Sequence, residues 1–489
     1  MSLNYNFIWL LCYLLVLVGL AGYGFHRLSI VYLYWKNRNN KPQPKARFQE
    51  LPVVTVQLPM FNEKFVVDRL LESVAALDYP QDKLEIQILD DSTDDTTEQC
   101  YRKVEELKSR GFDAVCIHRT DRTGFKAGAL EAATKVAKGE FLLILDADFV
   151  PEPDLLQKTI HFFTDENVGL VQTRWGHINR EYNLLTRIQG MYLDGHFAME
   201  QTARNRSGRF FTFNGTAGIW RKCVIGDAGG WSHDTLTEDM DLSYRVQLKG
   251  WRFIYLNDVV TPAELPVDMD GFKSQQHRWT KGSIQVCQKI LLDIWRSNAP
   301  LKAKVEATTH LTCNYSYLLL ALLCFLVYPI CTQRIPENET VFMWFVNVAL
   351  FFMTSVAVCI FYMSAQIVVR PKSWWKELPY LPLLLTLSVG MAVNNAKAVL
   401  EAIFGHQSAF VRTPKYGVDR KEDRRHVSQL KRNGYRAIKS VVIPVLEIAC
   451  GTFFLNLIII MIRQGHYLSP ILMIPFLGFY YTGFCSLGR

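Results

Sequence analysis

Two kinds of hydrophobic pattern divide the chain. From Leu3 to Phe25 no residue is charged, a run long enough to cross a hydrocarbon layer of ~30 Å. No basic residue precedes it, and only Gly22-Tyr23-Gly24 offers small residues for cleavage, so the pattern is that of a retained anchor and not of a signal peptide. Residues 48–300 contain no comparable run; further runs follow at Leu311–Cys331, Val341–Val369, Leu378–Ala396, Ser440–Ile462 and Tyr467–Gly488. Arg27, Lys36, Arg38, Lys41, Lys45 and Arg47 crowd the stretch after the first run. Positive charge stays on the cytoplasmic side, so the amino terminus is expected outside and residues 48–300 inside. Residues 332–340 are nearly neutral and read as an external loop, whereas 370–376 and 397–439 are basic. Leu378–Ala396 thus has basic flanks on both sides, among them Lys415, Arg420, Lys421, Arg424 and Arg425. It is expected to be interfacial or re-entrant, continued by the amphipathic Ala396–Phe404. That leaves five spans and an internal carboxyl terminus.

Over residues 52–260 the pattern changes to short apolar runs alternating with helical ones. Val53–Leu58, Glu85–Leu89, Ala114–His118 and Phe141–Leu145 read as strands; Asp68–Leu77, Thr96–Arg110 and Ala127–Ala137 read as helices. Repeated strand–helix–strand units predict an α/β domain with a mostly parallel, Rossmann-like sheet covered by helices on both faces. Ligands of such sheets bind beyond the carboxyl ends of the strands.

Composition agrees with a chain that is part soluble and part membrane. Of 489 residues, 49% are hydrophobic and 20% charged, which excludes a disordered or collagen-like chain. The eleven cysteines form no Cys-x-x-Cys pair, and Cys12, Cys324, Cys331 and Cys359 sit in apolar runs, so reduced thiols are expected. The net charge of +8 gathers beside apolar runs, not on an aromatic-interleaved patch, so no nucleic-acid partner is expected.

The chemistry-bearing residues fall at the predicted strand ends. Leu58-Pro59-Met60-Phe61-Asn62-Glu63 follows the first strand, Asp90-Asp91-Ser92-Thr93-Asp94-Asp95 the second, and Asp146-Ala147-Asp148 the apolar Phe141–Leu145. Asp146 and Asp148 project to the same side of an extended backbone, and two such carboxylates suit a hard divalent cation that also holds phosphate oxygens. No Gly-x-Gly-x-x-Gly or Walker A loop supplies a phosphate cradle; Lys126, between Gly124 and Gly128, is the candidate cation. Thr237 is placed to cap a helix running to Lys249 and ending at Gly250, with Glu238 and Asp239 in its first turn. Gln275-Gln276-His277-Arg278-Trp279 offers a stacking plate beside a cation, suited to a sugar ring and a phosphate. His161, His177, His196 and His233 show no metal-ligand spacing.

Asp-Asp, Asp-Ala-Asp, Thr-Glu-Asp and Gln-x-x-Arg-Trp in this order resemble the family-2 glycosyltransferases, and among them the processive membrane-embedded β-glycan synthases. Val171-Gln172-Thr173-Arg174-Trp175-Gly176-His177, Phe213-Asn214-Gly215-Thr216-Ala217-Gly218 and Glu238-Asp239-Met240-Asp241-Leu242 are similar to the cellulose-synthase-like A group, the mannan and glucomannan synthases. The likeness covers residues 50–290 strongly. It implies a cytosolic GT-A-type domain inserted between transmembrane helices with interfacial helices, and an inverting transfer from UDP-glucose or GDP-mannose to a growing glycan. Pro59, Asn62, Glu63, Asp90 and Asp91 would then meet the nucleoside of the donor. Lys126, Gln275 and Arg278 would meet its diphosphate, and Asp146 and Asp148 would hold that group through Mg²⁺ or Mn²⁺. Asp239 would be the general base, with Glu238 and Trp279 at the acceptor. Phe410-Val411-Arg412-Thr413-Pro414-Lys415 resembles the gating loop of cellulose synthase; Phe410, Thr413 and Lys415 match, and Arg412 replaces a valine.

The organisation expected from pattern and resemblance together is a transmembrane helix over 1–35, the catalytic domain over 36–284 and an interfacial helix over 285–308. Two spans follow within 309–369, an interfacial segment and gating loop over 370–439, and two spans within 440–489. No cyclic-dinucleotide-binding module is expected after the last span. A bacterial plasma membrane is expected before a Golgi one. The rival reading keeps the fold and transfers sugar to a lipid, as ceramide or sterol glucosyltransferases do; a non-catalytic scaffold is disfavoured by the intact Asp91, Asp146, Asp148 and Asp239. The glycosylation patterns at Asn214 and Asn338 are discounted, the first because it is expected in the cytosol.

Overall fold

The structure, a computed structural model, describes residues 5–332, 349–350, 352–407, 412–419, 421–432, 441–464 and 472–487. The first apolar run is one helix, α1 (Tyr5–Asn37), and it continues well past Phe25. The first basic residues after the run do not flank it freely. His26 meets Glu306 at 3.0 Å, and Arg27 pairs with Glu200 while lying 4.6 Å above the Phe361 ring. Acidic partners carried by the rest of the chain therefore let the helix run on through its charged end.

Seven strands form the sheet: β1 (Val54–Met60), β2 (Leu84–Asp90), β3 (Asp113–His118), β4 (Phe141–Ile144), β5 (Val168–His177), β6 (Gly218–Arg221) and β7 (Arg252–Ala263). Their order is β3-β2-β1-β4-β6-β5-β7. β1 pairs in parallel with β2 and β4, β2 with β3, and β5 with β7; β6 alone runs antiparallel to its neighbours. The sheet is thus mostly parallel, as the strand–helix alternation predicts.

Apolar residues on both sheet faces explain the near-continuous hydrophobic strands. Phe141 and Leu143 pack with Val54, Val56 and Ile86 against α2 (Val67–Ala75) and α3 (Thr96–Ser109). Leu142 and Ile144 face the other way, against α4 (Phe125–Val136) and α5 (Glu238–Leu248). Two polar positions inside the sheet pair across strands: Thr55 donates to Glu85 at 2.6 Å and Gln57 Nε2 to Gln87 at 3.1 Å.

One helix, α6 (Met269–Arg296), carries Gln275, Arg278 and Trp279 and runs straight through the boundary expected at 284/285. The remaining helices used below are α7 (Ala392–Ile403), α8 (Val442–Arg463) and α9 (Met473–Leu487). Among the described residues, Ile8–Asn37 and Val442–Arg463 are long and apolar enough to cross a membrane. Two further pairs pass the same test only as bent units, Leu301–Thr312 with Tyr315–Tyr328 at 52° and Trp374–Gly390 with Ala392–Ile403 at 40°. The second break falls inside the run read as interfacial or re-entrant. Described cysteines are free, as expected.

Candidate active site

The strand ends, the start of α5 and one face of α6 converge on a single cleft. Pro59 and Glu63 arrive from β1, Asp91 from β2, Asp146 and Asp148 from β4, Glu238 and Asp239 from α5, and Gln275, Arg278 and Trp279 from α6. Lys126 enters from the first turn of α4, and Thr413 and Lys415 close the cleft from the segment 412–419. Two of the expected residues stand elsewhere. Asp90 is fully buried, accepting hydrogen bonds from Ser92 N at 3.0 Å and Thr97 Oγ1 at 2.8 Å and meeting His118 Nδ1 at 2.7 Å; it organises the loop that presents Asp91. Asn62 adopts a φ of +55° and turns its side chain onto Thr93, so it shapes the bend after β1 without lining the cleft. Phe410 lies outside the described residues.

Acids and bases are interleaved across the cleft. Asp91 is held by Arg119 in a two-point contact, Nε at 2.8 Å and Nη2 at 2.6 Å. Lys126 Nζ donates to Asp146 Oδ1 and to the carbonyl of Gly215, the latter at 2.9 Å. Burial works against the Lys126 charge, but Asp146, Glu238 and Asp239 outweigh it and hold the ammonium above its ordinary value. Asp239 moves the other way. Burial first, and the neighbouring Glu238 second, push its carboxyl up to about 7, against a backbone hydrogen bond from Met240 N at 2.8 Å. A carboxyl poised near neutrality suits a general base.

Position-specific backbone geometry makes room for that carboxyl. Gly215 has a φ of +79°, and a Cβ there would stand 3.0 Å from Asp239 Oδ2; glycine is the residue that tolerates both demands. Gln172 holds the same loop, donating to the carbonyls of Thr173, Thr216 and Ala217 at 2.9–3.0 Å and accepting from Asn214 N at 3.2 Å. Thr237 occupies the N-cap position of α5, but its hydroxyl makes no capping bond. The α6 backbone crowds it: a Cβ on Gly282 would come within 2.5 Å of its methyl group. The helix stops at Gly250, as expected.

Asp146 and Asp148 are the residues that would hold a metal. Among the described residues no group of three or more His, Cys, Asp or Glu side chains is arranged to hold a metal ion. Two carboxylates alone do not cage an ion, but they fit Mg²⁺ or Mn²⁺, whose remaining positions are filled by substrate phosphates and water. Asp146 and Asp148 are met by ammonium groups, Lys126 on the first and Lys415 Nζ at 2.6 Å on the second, so positive charge is drawn to this pair.

A second cavity lies on the far side of Asp239. It shares Trp175, Asn214, Asp239 and Trp279 with the first and extends past Tyr192, His196 and Gln276 to Arg27 of α1 and to Phe361 and Tyr362. Its walls are aromatic where the chain's apolar helices approach it. Trp279 and Trp175 stand 6.4 Å apart, and Trp175 packs on Phe197 at 4.5 Å.

Several cleft residues carry no pattern that sequence reading could use. Glu264 follows β7 as a lone acid. Buried, it accepts three successive amides, from Tyr416 at 2.9 Å, Gly417 at 3.0 Å and Val418 at 3.1 Å, and so clamps the segment that brings Lys415 to Asp148. Arg122 stacks 3.4 Å above the Phe61 ring. Arg412 points toward Glu63 at 3.9 Å, and burial, more than any neighbour, pushes that carboxyl up to about 8.

Residues 52–282 match the family described as glycosyltransferase-like family 2. They form a family-2-type glycosyltransferase domain. The chain is 42% identical over 286 residues to "Glucomannan 4-beta-mannosyltransferase 2" of Arabidopsis thaliana, covering 55% of this chain and 53% of the relative. It is 41% identical over 277 residues to "Glucomannan 4-beta-mannosyltransferase 1" of Oryza sativa subsp. japonica, covering 56% and 53%. The chain therefore spans about half the length of the curated relatives it matches. A mannosyltransferase from Pyrobaculum calidifontis, solved in complex with GDP-Man and Mn²⁺, superposes with a TM-score of 0.57 at 20% identity, over 81% of this chain and 100% of that one; this likeness is one of fold, a GT-A-type α/β domain. The resemblance to the mannan and glucomannan synthases is borne out by the two identities. The expected bacterial host gains no support from them, since both relatives are plant proteins.

Proposed function

We propose that the protein is an inverting, metal-dependent glycosyltransferase that lengthens a β-linked polysaccharide from a nucleotide sugar and passes the product toward its apolar helices. The observation that carries this reading is Asp239, a carboxyl poised near neutrality on the wall shared by two cavities. The first cavity has the charge pattern for a sugar nucleotide, and the second has the aromatic surface for the acceptor. Asp239 removes the proton from the acceptor hydroxyl as that oxygen bonds to the anomeric carbon from the face opposite the leaving group. The bond from the anomeric carbon to the diphosphate oxygen breaks, which inverts the configuration. Asp146 and Asp148 would hold a divalent ion, whose chemistry there would be Lewis-acid stabilisation of charge on the leaving diphosphate. Lys126, Gln275 and Arg278 bind and orient that diphosphate; Pro59, Glu63 and Asp91 face the nucleoside, and Glu238 and Trp279 the acceptor sugar. The segment with Thr413 and Lys415 covers the donor, in the manner of a gate. GDP-mannose is the first donor to test, because the named activity of both relatives is mannosyl transfer, and UDP-glucose is the second. The domain faces the cytosol in this reading, with the apolar helices in the membrane.

Supplying each donor in radiolabelled form, with Mn²⁺, to the protein in lipid nanodiscs tests it. Label is expected in ethanol-insoluble polymer. Label confined to the lipid extract would replace polymer synthesis by glycolipid synthesis, and no transfer from either donor would contradict the proposed donor class.

A further inference from the structure

Helix α6 has a second ordered face that the transfer reaction does not use. Lys273, His277 and Lys281 stand at i, i+4 and i+8 and form one stripe along it. At roughly 100° per residue, Gln275 and Trp279 point to the opposite side, and Arg278 stands about a quarter-turn from the stripe. The stripe meets acids from the apolar carboxyl-terminal helices. Lys273 Nζ donates to Glu447 Oε2 of α8 at 2.5 Å, to Ser486 Oγ of α9 at 2.9 Å and to the Thr482 carbonyl of α9 at 3.0 Å. All three donors of one ammonium are thereby used, and the Glu447 side chain is wholly buried. Lys281 Nζ and His277 Nε2 both reach Glu401 of α7, at 3.1 and 3.2 Å. Burial lowers His277 below its ordinary value, so it serves as a neutral hydrogen-bonding partner. Asn394 of α7 adds a bond to the Lys273 carbonyl at 3.2 Å.

Ion pairs in such an apolar setting are poor sources of stability relative to well-packed apolar residues, but they are demanding about geometry. Here the demand falls on rotation: turning α6 by one residue would carry both lysines away from their acids and swing Arg278 out of the cleft. We infer that Lys273 and Glu447, seconded by Lys281 and Glu401, are positioning residues that fix the rotation of α6, so that Gln275 and Arg278 face the donor diphosphate. The inference rests on the transferase reading of the first cavity. It makes the carboxyl-terminal apolar helices part of the donor site's architecture, although none of their described residues lines that cleft.

The test uses the full chain in nanodiscs and four variants: the double substitution Lys273→Met with Glu447→Leu, the swap Lys273→Glu with Glu447→Lys, the single Lys273→Glu, and the milder Glu401→Gln. The readouts are thermal unfolding, affinity for GDP and UDP in the presence of Mn²⁺, and the donor KM and kcat. The double apolar variant is expected to stay folded, with an unfolding temperature at or above that of the parent. It should lose nucleotide affinity and raise the donor KM by roughly tenfold or more. The swap should recover part of both, and Glu401→Gln should show a smaller loss of the same kind. A folded double variant with parental affinity and KM would overturn the inference, as would a swap no better than Lys273→Glu alone. A parent protein that binds neither nucleotide would instead overturn the reading of the cleft as a donor site, and the inference with it.

Discussion

At the residue scale the account turns on Asp239. Because its carboxyl is pushed up to about 7, the rate should climb with pH through that value as the base becomes ionised. A profile of donor-saturated rate against pH that is flat from 5 to 9 would contradict a titrating base. The same shift fixes the sign of a stability effect. A carboxyl whose folded value lies above its unfolded one binds a proton more tightly in the folded state, so folding stability falls as pH rises from about 4 toward 7. Asp239→Asn removes that charge and should therefore melt higher than the parent at pH 8 while transferring no sugar. The trade is one between stability and activity, and calorimetry at pH 5 and pH 8 reads its sign. Gly215→Ala is the second residue-scale prediction. Its Cβ would crowd Asp239 Oδ2 at a backbone conformation that disfavours alanine, at a cost of about 1 kcal/mol or more. Turnover should drop while nucleotide affinity, measured by calorimetry, stays within about threefold.

At the scale of elements, Glu264 clamps three successive amides of the segment 412–419. Glu264→Gln keeps the shape but weakens its three amide contacts, which are hydrogen bonds to a charged group worth about 1.5–3 kcal/mol each at most. Limited proteolysis should cut this segment faster in the variant than in the parent, and an unchanged cutting rate would show that Glu264 does not hold it. Such a residue also marks how far the sequence could be read. The strands β1 to β4 and helices α2 to α4 were legible because their apolar positions repeat with the period of the element, and Asp91, Asp146, Asp148 and Asp239 because they stand at strand or helix ends in recognisable groups. Asp90 looked equivalent to Asp91, but alternation along the strand turns it into the buried side, where His118 and Thr97 take it up. Glu264, Arg122 and the Lys273 stripe were not legible. Each acts on a partner far away in sequence (152 positions separate Glu264 from Tyr416), and nothing local announces such a pairing. The partners of the first basic residues after the amino-terminal run were hidden for the same reason: Glu200 and Glu306, which accept Arg27 and His26, come from elsewhere in the chain.

At the scale of the whole molecule, the sheet, α5 and α6 form one wall around the first cleft, and the apolar helices α1, α8 and α9 are packed on or near the elements that carry it. Metal dependence belongs to this scale, because two protein carboxylates complete a metal site only together with the donor diphosphate. EDTA should abolish transfer and Mn²⁺ or Mg²⁺ should restore it, while Asp146→Asn and Asp148→Asn should each leave a protein that no longer responds to added metal. The central claim, that a base between two cavities moves sugar from a nucleotide to a growing glycan, is tested most directly by one comparison in nanodiscs: polymer made from GDP-[¹⁴C]mannose by the parent and by Asp239→Asn, with GDP binding measured on both. Ethanol-insoluble polymer is expected from the parent, none above background from the variant, and equal GDP affinity in both. Polymer from Asp239→Asn at a parental rate would contradict that claim.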